Sequence, residues 1–94
     1  MKELKISPLA LKDMQEAAKY YNRQQKGLGR RFETAIRQTF ARIQEMPHAA
    51  SISHLDIRYK VMDDFPFIIT YRFDSAAIFI ARIFHTHQNP ESLL

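Results

Sequence analysis

The run FPFIITYRFDSAAIFIARIFH, residues 65–85, restricts the possible folds more than any other part of the chain. Phe65, Phe67, Ile69, Tyr71 and Phe73 recur at every second position, the period of a half-buried strand over residues 66–73. Residues 77–85 are apolar on both parities, which places that strand in the interior of a sheet. Asp74-Ser75-Ala76 is the turn between the two. A sheet with such a centre needs a cover, and the N-terminal half must supply it.

That half reads as one strand followed by two helices. Leu4 and Ile6 flank Lys5 in a short strand over residues 2–6. Ser7 is a helix N-cap, with Pro8 at the first helical position. Leu11, Met14, Ala18 and Tyr21 recur at helical spacing and define an amphipathic helix over residues 8–25. Gly27 supplies a left-handed stop. A second helix runs from about Gly29 to Met46, with Phe32, Ile36, Thr39 or Phe40, Ile43 and Met46 facing inward, and Pro47 ends it. Glu33 and Arg37 form a favourable i, i+4 pair on its outer side. The short Gly27-Leu28-Gly29 connection makes the helices an antiparallel hairpin. Residues 47–56 read as a loop, and Ile57, Tyr59 and Val61 alternate with Arg58, Lys60 and Met62 in a further strand. The expected fold is α+β, in the order β-α-α-β-β-β. A helical hairpin packs on one face of a small, mainly antiparallel sheet.

A turn over residues 74–76 sets Phe73 against Ala77, Tyr71 against Phe79, Ile69 against Ala81 and Phe67 against Ile83. Arg72 and Arg82 then share the opposite face, and Arg58 and Lys60 are expected to join them. A shift of one residue would bury Arg82 beside Phe67, where an unpaired guanidinium is very costly. Four cations are therefore expected on the face away from the helices. Such a face is compatible with a solvated sheet, with docking of an acidic segment through charge-assisted bonds, or with phosphate binding at an RNA-cleaving site.

Size and composition exclude several classes. At 94 residues the chain is one small domain, 1–94, whose tail from Gln88 to Leu94 is expected to fray, with Leu93-Leu94 available to a partner. It has no cysteine, so disulfide scaffolds and thiolate metal sites are excluded. No run reaches the ~18 apolar residues of a membrane span, and residues 1–15 do not resemble a signal peptide. A cytoplasmic protein without membrane contact is expected. The net charge is +4, and between Arg23 and Arg42 six bases (Arg23, Lys26, Arg30, Arg31, Arg37 and Arg42) face one acid, Glu33. An acidic partner, either nucleic acid or protein, accounts for that excess, as does simple solubility.

Among the histidines, His85 ends the last strand as either a hydrogen-bonded structural imidazole or a proton donor near neutral pH. His87 lies beyond it. His48 and His54 share no ligand spacing with paired carboxylates, so no metal or other cofactor is expected. Tyr21 belongs to the core, whereas Tyr20 either lines a groove or shields the hairpin. Asp63-Asp64 reads as turn chemistry.

Taken in order, YYNRQQKGLGRRF, IQEMP, Arg58, FPFIITYRF and IFIARIFHTHQNP resemble toxins of the RelE/ParE superfamily, and within it the ParE-like or plasmid stabilisation branch. The resemblance covers nearly the whole chain. It implies the toxin of a bacterial type II toxin–antitoxin system, neutralised by a cognate acidic antitoxin in a hetero-oligomer. It implies growth inhibition through a protein target such as DNA gyrase. Arg58, Lys60, Arg72, Arg82, Tyr20, Arg30 and Arg37 are the residues expected to bind target or antitoxin. One alternative is a RelE-like endoribonuclease acting on mRNA in the ribosome, with His85, Arg58 and Arg82 as its catalytic residues. It is disfavoured because the chain has no C-terminal His-Tyr pair and no dense lysine cluster. The other alternative is an inactive relic that binds only the antitoxin.

Overall fold

The computed structural model describes residues 2–86, with residues 53 and 54 described by backbone alone. Seven elements follow in order: β1 (Glu3–Ile6), α1 (Pro8–Gln24), α2 (Leu28–Glu45), β2 (Ser51–His54), β3 (Ile57–Val61), β4 (Phe67–Phe73) and β5 (Ala77–His85). They form one five-stranded sheet in the order β1-β5-β4-β3-β2, with the helical hairpin packed on one face. Only the β1–β5 pair is parallel. The fold is the expected α+β arrangement, and β5 is interior to the sheet, as its two-sided apolar sequence requires.

Local chemistry accounts for the element ends. The Ser7 Oγ accepts the Ala10 N–H at 3.0 Å and Pro8 opens α1. Gly27, at φ 86°, turns the chain between helices in a conformation that costs other L-residues energy. Gly29 lies where the helices touch; a Cβ there would run into the Ala18 carbonyl oxygen and, at 2.6 Å, the Asn22 amide nitrogen. Asn22 instead uses its Oδ1 to accept the Gly29 N–H at 2.9 Å, capping α2 from the preceding helix.

The core lies between the hairpin and the sheet. It joins Ala10, Ala17, Ala18, Phe32, Ile36, Phe40 and Ile43 to Phe67, Ile69, Tyr71, Ile78, Ile80 and Ile83. Tyr21, Phe32, Phe65 and Phe67 form a ring cluster with centroids 5.0–6.2 Å apart. Aromatic pairs at such spacings add to plain area burial. Thr39 is buried as well, with its hydroxyl donating to the Ala35 carbonyl at 2.8 Å. On the helices two expected core positions are outside: Leu11 is 48% exposed and Met46 is 65% exposed. Leu11 flanks the narrow line of small residues by which α1 approaches the sheet, and Met46 is already the C-cap of α2.

The expected pairing of β4 with β5 is corrected. Phe73 pairs with Ile78, Arg72 with Phe79 and Tyr71 with Ile80; then comes a bulge, after which Thr70 pairs with Arg82, Ile69 with Ile83 and Phe67 with His85. The turn is one residue longer than expected, with the Asp74 N–H donating to the Ala77 carbonyl at 3.0 Å. Ala81 is the extra residue. The bulge changes the inward parity from Ile78 and Ile80 to Ile83 and His85, so Arg82 stays off the core face despite the shifted register. Phe79, expected inside, lies on the helix-free face.

The expected loop over 47–56 is also corrected, because it contains β2. Its hairpin with β3 turns through Leu55 at φ 48° and Asp56 at φ 67°, the two positive values of a type I′ turn. The usual Asn-Gly signal is missing from this turn, which is why the sequence reads as loop. His87 and the tail from Gln88 to Leu94 lie outside the described residues.

Candidate functional site

The four cations expected together on the helix-free face do not gather there. Arg58 pairs with Tyr71 and Lys60 with Ile69, so both project on the helix side, where Tyr71 and Ile69 are core. Apolar alternation in β3 favours Ile57, Tyr59 and Val61 as its inward face. At the sheet margin beyond the helices, the inward face of β3 instead meets the loop after α2, whose carbonyls attract a cation.

Arg58 serves that loop. Its Nη1 donates to the carbonyls of His48 at 3.0 Å and Ala50 at 2.8 Å, and its guanidinium lies 5.5 Å from the Phe73 ring centre. Beside it the buried Tyr71 hydroxyl donates to the Pro47 carbonyl at 2.7 Å. The His48 ring packs edge-on against Phe73 at 4.7 Å. Burial raises the Tyr71 hydroxyl above its ordinary value, with the Arg58 charge opposing the rise. Together these contacts fix the α2–β2 connection.

Arg82 lies on the helix-free face by parity, but its guanidinium reaches Asp13 of α1. Its Nε and Nη2 donate to the two Asp13 oxygens at 2.9 and 3.0 Å, and the Ile83 N–H donates to the same carboxylate at 2.9 Å. The hydrogen-bonded carboxylate raises the Arg82 guanidinium above its ordinary range. This cluster follows from strand lengths. β1 pairs with β5 only as far as Ile80, so the next part of β5 has an open edge. Ser7 covers it by donating its hydroxyl to the Ala81 carbonyl at 2.7 Å, and Asp13 covers the Ile83 N–H. Sequence reasoning missed Asp13. The available signal was a nine-residue apolar strand outrunning its four-residue neighbour, which leaves backbone donors in need of an acceptor.

Of the ribonuclease set, His85 and Arg82 border one hollow, but Arg58 is remote from both. His85 pairs with Phe67, four positions along β4 from Tyr71, the partner of Arg58. That spacing is roughly 13 Å along the strands, and β3 lies about 10 Å across from β5. The His85 ring packs edge-on against Phe67 at 5.4 Å and borders a shallow hollow with Glu16, Asp13 and Arg82.

The remaining expected residues are dispersed. Arg72 is exposed on the helix-free face opposite Phe79, whose other neighbour is Lys5, with its Nζ 5.9 Å from the ring. Tyr20, on α1, is 51% exposed and packs edge-on against Tyr21. Arg30 projects near the start of α2, and Arg37 makes a loose 3.9 Å pair with Glu33. Among the described residues no group of three His, Asp or Glu side chains is placed to hold a metal ion.

A concave surface at the end of α2 combines apolar area with a cation unpaired among the described residues. A cleft of about 200 Å³ lies between the end of α2 and β3, lined by Ile43, Met46, Ala49, Ala50 and Tyr71 with Arg42, Glu45 and Lys60 on its sides. Arg42 is held by Asp63 at 2.6 Å, whereas Lys60 has no ion-pair partner among the described residues. Exposed Met46 and Ile52, the latter 59% exposed, extend the apolar area toward the sheet edge.

The family model of the ParE toxin of the type II toxin–antitoxin system, parDE, matches residues 4–90. Among solved structures, the fold is similar to the chromosomal ParDE TA system from P. aeruginosa. The TM-score is 0.69 at 18% identity, over 90% of this chain and 96% of that chain. A comparison with curated proteins finds no match. The family match spans both helices and, but for Glu3, the described strands, and the described fold agrees with it: the chain belongs to the ParE toxin family, the toxins of type II toxin–antitoxin systems.

Proposed function

We propose that this toxin arrests growth in the cytoplasm by binding a protein target, with DNA gyrase the first candidate, and does not itself cut nucleic acid. One observation carries the reading: both arginines of the ribonuclease set are committed to the scaffold. Cleavage by 2′-hydroxyl attack requires a base, an acid and phosphate-holding cations around one reacting centre. Arg58 instead holds loop carbonyls and Arg82 holds Asp13, while His85, which borders the hollow beside Arg82, lies far along the strands from Arg58.

The cognate acidic antitoxin docks in the α2–β3 cleft as part of a hetero-oligomer. An apolar floor of Ile43, Met46 and Ala49 beside Lys60 suits a segment that alternates apolar and acidic side chains. Of the residues expected to bind antitoxin, Lys60 is the one this reading retains. Lys60→Glu should weaken antitoxin binding at least tenfold, since like charges then meet across the interface.

Expression without a partner tests the target. Mapping of mRNA ends and of gyrase–DNA cleavage complexes should reveal the complexes and leave transcripts whole. Codon-linked cuts in mRNA would establish the ribonuclease instead, and normal growth would mark the chain as a relic.

A further inference from the structure

We infer that the tip of the helical hairpin is a contact surface for the phosphate backbone of duplex DNA. Between Ala17 and Phe32 the sequence carries Lys19, Arg23, Lys26, Arg30 and Arg31 and no acid. All five side chains are exposed, on the last turns of α1, the connection and the first turn of α2. None of them has an ion-pair partner among the described residues. One carboxylate, Asp64, borders the hollow shared with Arg30, Arg31, Thr34 and Gln38.

Two features argue that the charge serves more than solubility. Arg30 and Arg31 occupy the first turn of α2, where the helix dipole disfavours cations and no acid compensates. The exposed surroundings (Asn22, Gln24, Gln25, Thr34 and Gln38) are hydrogen-bond donors.

The surface chemistry selects the partner. Protein interfaces centre on apolar or aromatic anchors, and the one large exposed apolar side chain nearby is Tyr20. A single ring is too little for the stacking platform that single strands use. The apolar residues of the hollow beside Arg30 and Arg31 (Leu28, Ala35 and Phe65) are buried or half-buried. A rim of exposed cations and amides matches phosphate contacts, which position a protein on a duplex without reading sequence. This surface is separate from the antitoxin cleft, and its test involves neither antitoxin nor gyrase.

The test is titration of the full-length toxin with a 20-bp mixed-sequence duplex over a range of salt concentrations. The variant Lys26→Gln/Arg30→Gln/Arg31→Gln is measured beside the wild type and a Lys12→Gln control, with folding of each checked by circular dichroism. Wild type and control should bind with a steep salt dependence. The triple variant should bind more weakly, with a log–log slope shallower by about 2.7, about 0.9 for each phosphate that is no longer neutralised. Absence of duplex binding by wild type at 50 mM salt, or an unchanged slope in the folded triple variant, would overturn the inference. So would equally tight binding of poly-glutamate that is lost in the triple variant, since the tip would then be a site for an acidic protein.

Discussion

Asp13 is the residue whose loss should most clearly expose how the sheet edge is held. Its carboxylate accepts two bonds from Arg82 and one from the Ile83 N–H, all at 2.9–3.0 Å, with side-chain exposures of 15% for Asp13 and 24% for Arg82. Replacement by alanine strands a backbone donor at about 1–3 kcal/mol. It also unpairs a guanidinium, which would cost about 3–5 kcal/mol in a fully buried site. Arg82 is near enough to solvent to rehydrate, so the second cost falls well below that range. A total of roughly 3 kcal/mol is expected, a large share of the 5–15 kcal/mol available to a small domain. Arg82→Met should cost less, about 1–2 kcal/mol, because its stem can remain on the sheet and Asp13 keeps the Ile83 N–H. The double variant should fall short of the sum by about 1–2 kcal/mol, the coupling of a partly buried pair. Urea unfolding followed by circular dichroism measures all four proteins. Asp13→Ala within 0.5 kcal/mol of wild type, or strict additivity of the two changes, would refute the account of Asp13 as the substitute for a missing strand.

Three further outcomes follow from the same geometry. Gly29→Ala should destabilise by about 2 kcal/mol or more by urea unfolding despite alanine's better helix propensity, because the new methyl meets the Ala18 carbonyl and the Asn22 side chain. Tyr71→Phe should cost about 1 kcal/mol at neutral pH through loss of the bond to Pro47. Burial raises Tyr71 and Tyr21 above their ordinary 10.0, so their stabilisation is full below that pH and is lost as pH rises through the folded values. Stability measured from pH 8 upward should therefore decline less steeply in Tyr71→Phe. Leu55→Asn/Asp56→Gly should raise the urea midpoint by an amount worth about 1 kcal/mol, since both positions hold positive φ that the new residues accept more readily.

The helices were legible because their signals are local. The spacing of Phe32, Ile36 and Ile43, with Ser7, Pro8, Gly27 and Pro47 as punctuation, defined α1 and α2 to within a residue at each end. Long-range placement was less legible. Period-two alternation in β3 shows that Arg58 and Lys60 share a face, but which face they take depends on where the helical cover stops. The β4–β5 register depended on one residue in the turn and on the bulge at Ala81, whose benefit is the exclusion of Arg82 from the core. Asp13 and the cleft of Ile43, Met46 and Ala49 join residues far apart in the chain, and no local pattern marks them.

The residues that made the family recognisable are largely those that build its frame. Tyr21, Phe32, Phe65 and Phe67 are one ring cluster, Gly29 permits the helix contact, and Pro47, Arg58 and Tyr71 lock a single loop. A motif composed of packing residues identifies a scaffold, and it leaves the target to whatever the surface carries. On this chain the surface carries two contrasting regions, an apolar cleft with Lys60 beside it and a hairpin tip whose exposed rim is cationic. Substitutions of the apolar floor in the first should change protein binding with little salt dependence, whereas substitutions at the tip should act through the salt slope. Because the regions share no residue, changes in one should leave affinity at the other within about 0.5 kcal/mol, the usual limit for distant sites. A Lys60→Glu variant that lost duplex binding along with antitoxin binding would mean that the two surfaces act as one.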